Sequence, residues 1–124
     1  MRKILLLFSF ISTFAIGQVV RDLPYQDYYD KDLSKMKMEM IFKELISDEK
    51  ISVISADRYS YFFQFTGDVK VKMLVSFNDQ NMTFTFSNFF IKQEGKIVQL
   101  PKEYESDISD DYFNIFKSAY YNNL

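Results

Sequence analysis

The sequence predicts an α+β domain of two layers, an antiparallel meander sheet of four to five strands with two helices on one face, in the order β-α-β-β-β-β-α. Three observations predict it. Residues 51–91 alternate apolar and polar side chains in runs separated by Gly67-Asp68 and Asn78-Asp79-Gln80-Asn81, and such alternation marks strands buried on one side. Residues 33–47, before that block, repeat apolar side chains at helical spacing, and so do residues 106–124 after it. A one-faced sheet and two one-striped helices bury all three apolar surfaces when both helices lie on the apolar sheet face.

The chain opens "MRKILLLFSFISTFAIGQ". Arg2 and Lys3 precede an uncharged run of 13 residues, Ile4 to Ile16, and Ala15-Ile16-Gly17 offers small residues at the positions a signal peptidase reads. A membrane span needs roughly 20 apolar residues. Residues 1–17 are therefore expected to be a signal peptide cleaved before Gln18, with the product in the periplasm or outside the cell and no membrane span after cleavage. The chain has no cysteine, which removes a lipid anchor at a cleavage-site cysteine and any disulfide.

Residues 18–124 then form a single α+β domain of 107 residues, with 13 basic side chains against 17 acidic and a net charge of −4. That balance argues against nucleic acid and against docking on anionic lipid. Stability must come from apolar burial, and 20 Phe and Tyr residues in this part supply large areas for it.

The elements follow in order. Val19-Val20 can start a short edge strand that Pro24 limits, and Asp30 or Asp32 can cap the next element. In "LSKMKMEMIFKELIS", residues 33–47, Met38, Ile41, Phe42 and Leu45 share one helix face, with Leu33, Met36 and Met40 widening the stripe. "ISVIS" at 51–55 is a short β-branched run. Tyr59, Tyr61, Phe63 and Phe65 share a face, as do Val69, Val71, Met73, Val75 and Phe77, and then Met82, Phe84, Phe86, Asn88 and Phe90. A four-residue loop at 78–81 pairs Phe77 with Met82, Val75 with Phe84, Met73 with Phe86 and Val71 with Asn88. A three-residue loop at 66–68, with Gly67 or Asp68 left-handed, pairs Phe65 with Val69 and Phe63 with Val71; a two-residue loop would mix the faces. "KIVQL" at 96–100 is a weaker fifth strand after the Glu94-Gly95 turn signal. In the tail helix Ser106 or Ser109 is the expected cap, Asp107, Asp110 and Asp111 sit near its positive end, and Tyr112, Ile115, Phe116 and Ala119 share a face.

With the helix "LSKMKMEMIFKEL" and the hairpin "GDVKVKMLVSFNDQNMTFTFSNFFI" behind a signal peptide, the chain resembles the small secreted bacterial domain-of-unknown-function proteins with a TATA-binding-protein-like fold. The resemblance implies a fold over most of residues 18–121. It implies no activity and carries over no functional residues.

Chemistry is constrained by what the composition lacks. With no histidine and no cysteine, Ser-His-Asp and Cys-His nucleophilic sites and most zinc or copper sites drop out, and no phosphate loop or dinucleotide fingerprint is present. No cofactor or metal is expected. The acidic groups Asp27, Asp30, Asp32 and Asp107, Asp110, Asp111 lack the spacing of a calcium loop and suit helix starts. They leave a carboxylate-dependent or calcium-assisted hydrolase as the alternative reading. Ser60 with Lys70 or Lys72 makes a poor Ser-Lys pair, since those lysines point to water. Asn81-Met82-Thr83 fits a glycosylation sequon at a hairpin tip.

The wet sheet face supplies the candidate site. On the expected register it carries Phe62, Leu74 and Phe89 among hydroxyls and lysines, with Lys72 opposite Phe62 and Lys70 opposite Phe89. Aromatics on an open sheet also suit RNA, but "YSYFFQF" has neither the glycines nor the basic residue of that motif. The expectation is a non-enzymatic binding module of the cell envelope that uses Phe62, Lys70, Lys72, Leu74 and Phe89 toward a protein or an acidic glycan.

Overall fold

The computed structural model describes residues 17–27 and 29–122; the expected signal peptide, apart from Gly17, lies outside them. The described residues form an α+β fold, with six antiparallel strands in one sheet and two long helices among them. The strands are β1 (Val19–Pro24), β2 (Ile51–Asp57), β3 (Ser60–Phe65), β4 (Val69–Phe77), β5 (Asn81–Gln93) and β6 (Lys96–Gln99). The helices are α1 (Lys31–Ser47), between β1 and β2, and α2 (Glu105–Asn122), after a 3₁₀ turn at Lys102–Tyr104. The sheet runs β1-β5-β4-β3-β2, and β6 also pairs with β5, so six strands replace the expected four to five.

The extra strand arises because β5 is long enough to hold two partners. Its residues 81–86 pair with β1, and its residues 90–93 pair with β6. The β5–β6 turn, Glu94-Gly95, takes positive φ at both residues, as a tight two-residue hairpin requires. Pro24 ends the edge strand β1, where its missing N–H leaves no ladder bond unmade.

The β4–β5 hairpin has the expected register: Phe77 faces Met82, Val75 faces Phe84 and Met73 faces Phe86. Beyond that point a bulge intervenes between the pairs Lys72–Ser87 and Lys70–Phe90. Asn88 takes a left-handed φ of 54° there, a conformation that asparagine tolerates better than most residues. One extra residue on β5 inverts its alternation. Phe89 turns to the core at 3% exposure, and Phe90 turns outward at 36%. The expected placement of Phe89 on the open face is therefore wrong, and Asn88 does not pair simply with Val71.

The β3–β4 hairpin also differs. Phe63 pairs with Met73 and Tyr61 with Val75, two residues from the expected register, and neither Gly67 nor Asp68 is left-handed. A slip of two leaves every side chain on its face, so the core pattern survives.

Asp30 caps α1 by accepting from the Leu33 N–H at 2.9 Å. The buried residues of α1 are Ser34, Met38, Ile41 and Phe42, whereas Leu33, Met36 and Met40 are exposed rather than part of the stripe. In α2 the buried residues are Glu105, Ser109, Phe113, Phe116 and Tyr120. This rotates the helix from the expected face and puts Ile115 in solvent. Ser106 and Ser109 lie inside the helix and are not its caps. Both helices cover the apolar sheet face. Phe42 of α1 packs on Phe63 with ring centroids 4.6 Å apart, Phe113 of α2 packs on Phe84 at 5.2 Å, and Phe116 lies against both Phe42 and Phe84. No helix among the described residues is long and apolar enough to cross a membrane.

Candidate functional site

The open sheet face holds four of the five expected site residues. Phe62, Leu74 and Thr85 stand in one row across β3, β4 and β5, and Val20 of β1 extends it. Lys72 lies in the next row, opposite Gln64 and Ser87 rather than Phe62. Lys70 lies beside Phe90, which takes the place assigned to Phe89. These side chains make a narrow apolar row among polar neighbours on the open face.

Three of the six acidic residues, Asp30, Asp32 and Asp110, have structural partners. Asp30 is the α1 cap, Asp32 accepts from the Tyr59 hydroxyl at 2.9 Å, and Asp110 accepts from Arg21 Nε at 2.7 Å while Ser106 accepts from Arg21 Nη2 at 3.0 Å. Arg21 thus ties β1 to α2. Among the described residues no three acidic side chains stand close enough to share a cation.

A concave feature lies elsewhere, between α1 and the β2–β3 side of the sheet. The two helices leave this side partly uncovered, because α2 occupies the space over Phe84. Phe42 and Phe63 form the floor of a groove of about 490 Å³. Met36, Met40 and Ile46 form its helical wall, and Val53 and Tyr61 form its strand wall. Met36 and Met40 are 61% and 72% exposed. Unbranched, polarizable methionines adapt their shape to an apolar partner, and the volume falls within the range of small-ligand sites, about 300–1,000 Å³.

One end of the groove is polar and organised. Lys35 Nζ donates to Glu39 Oε2 at 2.8 Å, and the Tyr61 hydroxyl donates to the same oxygen. Partial burial pushes the Glu39 carboxyl up, but the hydrogen bonds from Lys35 and Tyr61, with the charges of Lys35 and Lys43, outweigh it and hold the carboxyl below its ordinary value. Burial, reinforced by Glu39, raises the Tyr61 hydroxyl, and the hydrogen bond to Glu39 raises Lys35. Lys43 also lines the groove. Among the described residues the close ion pairs join Arg21 to Asp110, Lys31 to Asp79 and Lys35 to Glu39; Lys43 is in none of them and acts on Glu39 through its charge alone.

The sequence carried one signal for this groove. On a helix of 3.6 residues per turn, Met36 and Met40 fall roughly opposite Met38, so they could not share the core stripe with it. No family model matches the chain, and no curated protein or solved structure matches it.

Proposed function

We propose that this protein is an exported, non-enzymatic binding module that holds a single-chain amphiphile in the groove between α1 and β3. The apolar tail lies on Met36, Met40, Ile46 and Val53, and an anionic head group meets Lys43. The observation that carries this reading is the apolar groove with Lys43 in its wall. Binding is favoured over hydrolysis because Asp30 and Asp110 already serve as a helix cap and an arginine partner. Export rests on Arg2, Lys3 and the apolar run after them. We also read the chain as a relative of the small secreted bacterial proteins with a TATA-binding-protein-like fold. The β-α-β-β-β-β-α order, with β6 added before α2, supports that kinship.

Methyl-labelled methionine NMR tests the site during titration with dodecanoate. The Met36 and Met40 signals move as the groove fills, while those of Met73 and Met82, buried in the sheet core, stay. Stationary Met36 and Met40 signals at saturating dodecanoate would refute the proposal.

A further inference from the structure

We infer that β2 is a homodimer interface, pairing antiparallel with β2 of a second copy to join two sheets into one. β2 closes one side of the sheet, and its outer edge has no partner strand among the described residues. Six of its residues, Ile51-Ser52-Val53-Ile54-Ser55-Ala56, carry no charge, proline or glycine, and all but Ile51 are exposed. A bare edge of this composition is a template for another strand.

The flanking charges choose the occupant. The local sequence reads Glu49-Lys50, the six uncharged residues, then Asp57-Arg58. Set antiparallel to itself about a dyad between Val53 and Ile54, this segment brings Lys50 opposite the partner's Asp57, and brings Glu49 alongside the partner's Arg58. The two-fold repeats both contacts. An unrelated strand has no reason to match this order, whereas a second copy matches it by symmetry.

The bulge makes the register workable. Lys50 and Asp57 are seven positions apart, so in a regular strand they would point to opposite faces. The pairing of β2 with β3 shifts between Val53 and Ser55, and this inverts the alternation. Ser52 faces Gln64, Ser55 faces Phe62 and Asp57 faces Ser60, all on the open side, while Ile51, Val53 and Ala56 face Phe65, Phe63 and Tyr61 on the helix side. Lys50, whose carbonyl accepts from the Thr66 N–H at 3.1 Å, continues the ladder and falls on the open side with Asp57. In the dimer every opposed pair outside the bulge then shares a face: Lys50 with Asp57, Ile51 with Ala56, and Ser52 with Ser55. A bulge often blunts a lone edge, but here it sits on the dyad, where both strands bend alike. The ionic contacts lie on the sheet face opposite the groove, whereas Val53, beside the dyad, also belongs to the groove wall.

Sedimentation equilibrium of the purified protein tests the interface through charge reversal. The unaltered protein sediments as a closed dimer. Lys50→Asp and Asp57→Lys each weaken dimerisation by about tenfold, because like charges then meet twice across the dyad. The double variant Lys50→Asp/Asp57→Lys restores the dimer, which separates interface repulsion from misfolding, and Ile54→Lys yields a monomer with unchanged circular dichroism. A monomeric unaltered protein, growth beyond the dimer, or a double variant no better than the singles would each overturn the inference.

Discussion

The Tyr61 hydroxyl, on β3, donates to the Glu39 carboxylate, on α1, and so bridges sheet and helix at the polar end of the groove. Lys35 completes the bridge from the same helix at 2.8 Å. Three titratable groups on two elements thus fix the separation of α1 from β3, and with it the width of the groove.

This bridge makes stability depend on pH. Glu39 is held below its ordinary value in the fold, so its contribution is present above the unfolded value and is lost as pH falls through the folded one. Lys35 is raised, so its contribution is complete below its unfolded value and is lost as pH rises through the folded one. The cluster therefore contributes across the neutral range and fades at both extremes. Both side chains are partly solvated, so the contribution is at most about 1 kcal/mol. Urea midpoints of the protein and of Glu39→Gln should differ at neutral pH and converge in acid. A gap that persists below the folded value of Glu39 would show that the ionised form is not responsible.

Asn88 governs the phase of β5. Its left-handed conformation costs a β-branched residue about 1–2 kcal/mol, while glycine adopts it freely. Asn88→Val should lower stability by about that amount, and Asn88→Gly should match the parent in a urea titration. If Asn88→Val is as stable as the parent, the left-handed residue is not what turns Phe89 into the core.

The same residue marks where the sequence stopped being legible. Between Met73 and Phe77, alternation on both strands and the loop at 78–81 admit one register, and that register is present. At "SNFF" two adjacent phenylalanines fit either phase, and a polar residue in the left-handed region leaves no apolar signature. The phase of α2 was ambiguous for a related reason. Tyr112, Phe113, Phe116, Ala119 and Tyr120 cover so wide an arc that helical spacing alone could not separate the half-buried Tyr112 from the buried Phe113 and Tyr120. The groove is a relation between α1 and strands at least a turn and a hairpin away. Helical spacing puts Met36 and Met40 off the core stripe, but it does not tell which strands face them across the groove.

Ser109 is a buried hydroxyl without a partner. It is fully buried on α2, and its Oγ makes no hydrogen bond among the described residues. Leaving such a group unpaired costs about 1–3 kcal/mol, and alanine is also the better helix former. Ser109→Ala should therefore raise stability by about 1 kcal/mol or more in chemical denaturation. A loss of stability would mean that the hydroxyl has a partner in solution.

Calorimetric titration of dodecanoate into three proteins tests the groove most directly: the parent, Met40→Glu in the groove wall, and Leu74→Asp on the open sheet face. A carboxylate among the apolar wall residues opposes the tail and repels the head group. The account predicts saturable binding to the parent, the same affinity for Leu74→Asp, and a loss of about tenfold or more for Met40→Glu. Binding that survives Met40→Glu but is lost in Leu74→Asp, or the absence of any saturable binding to the parent, would contradict it.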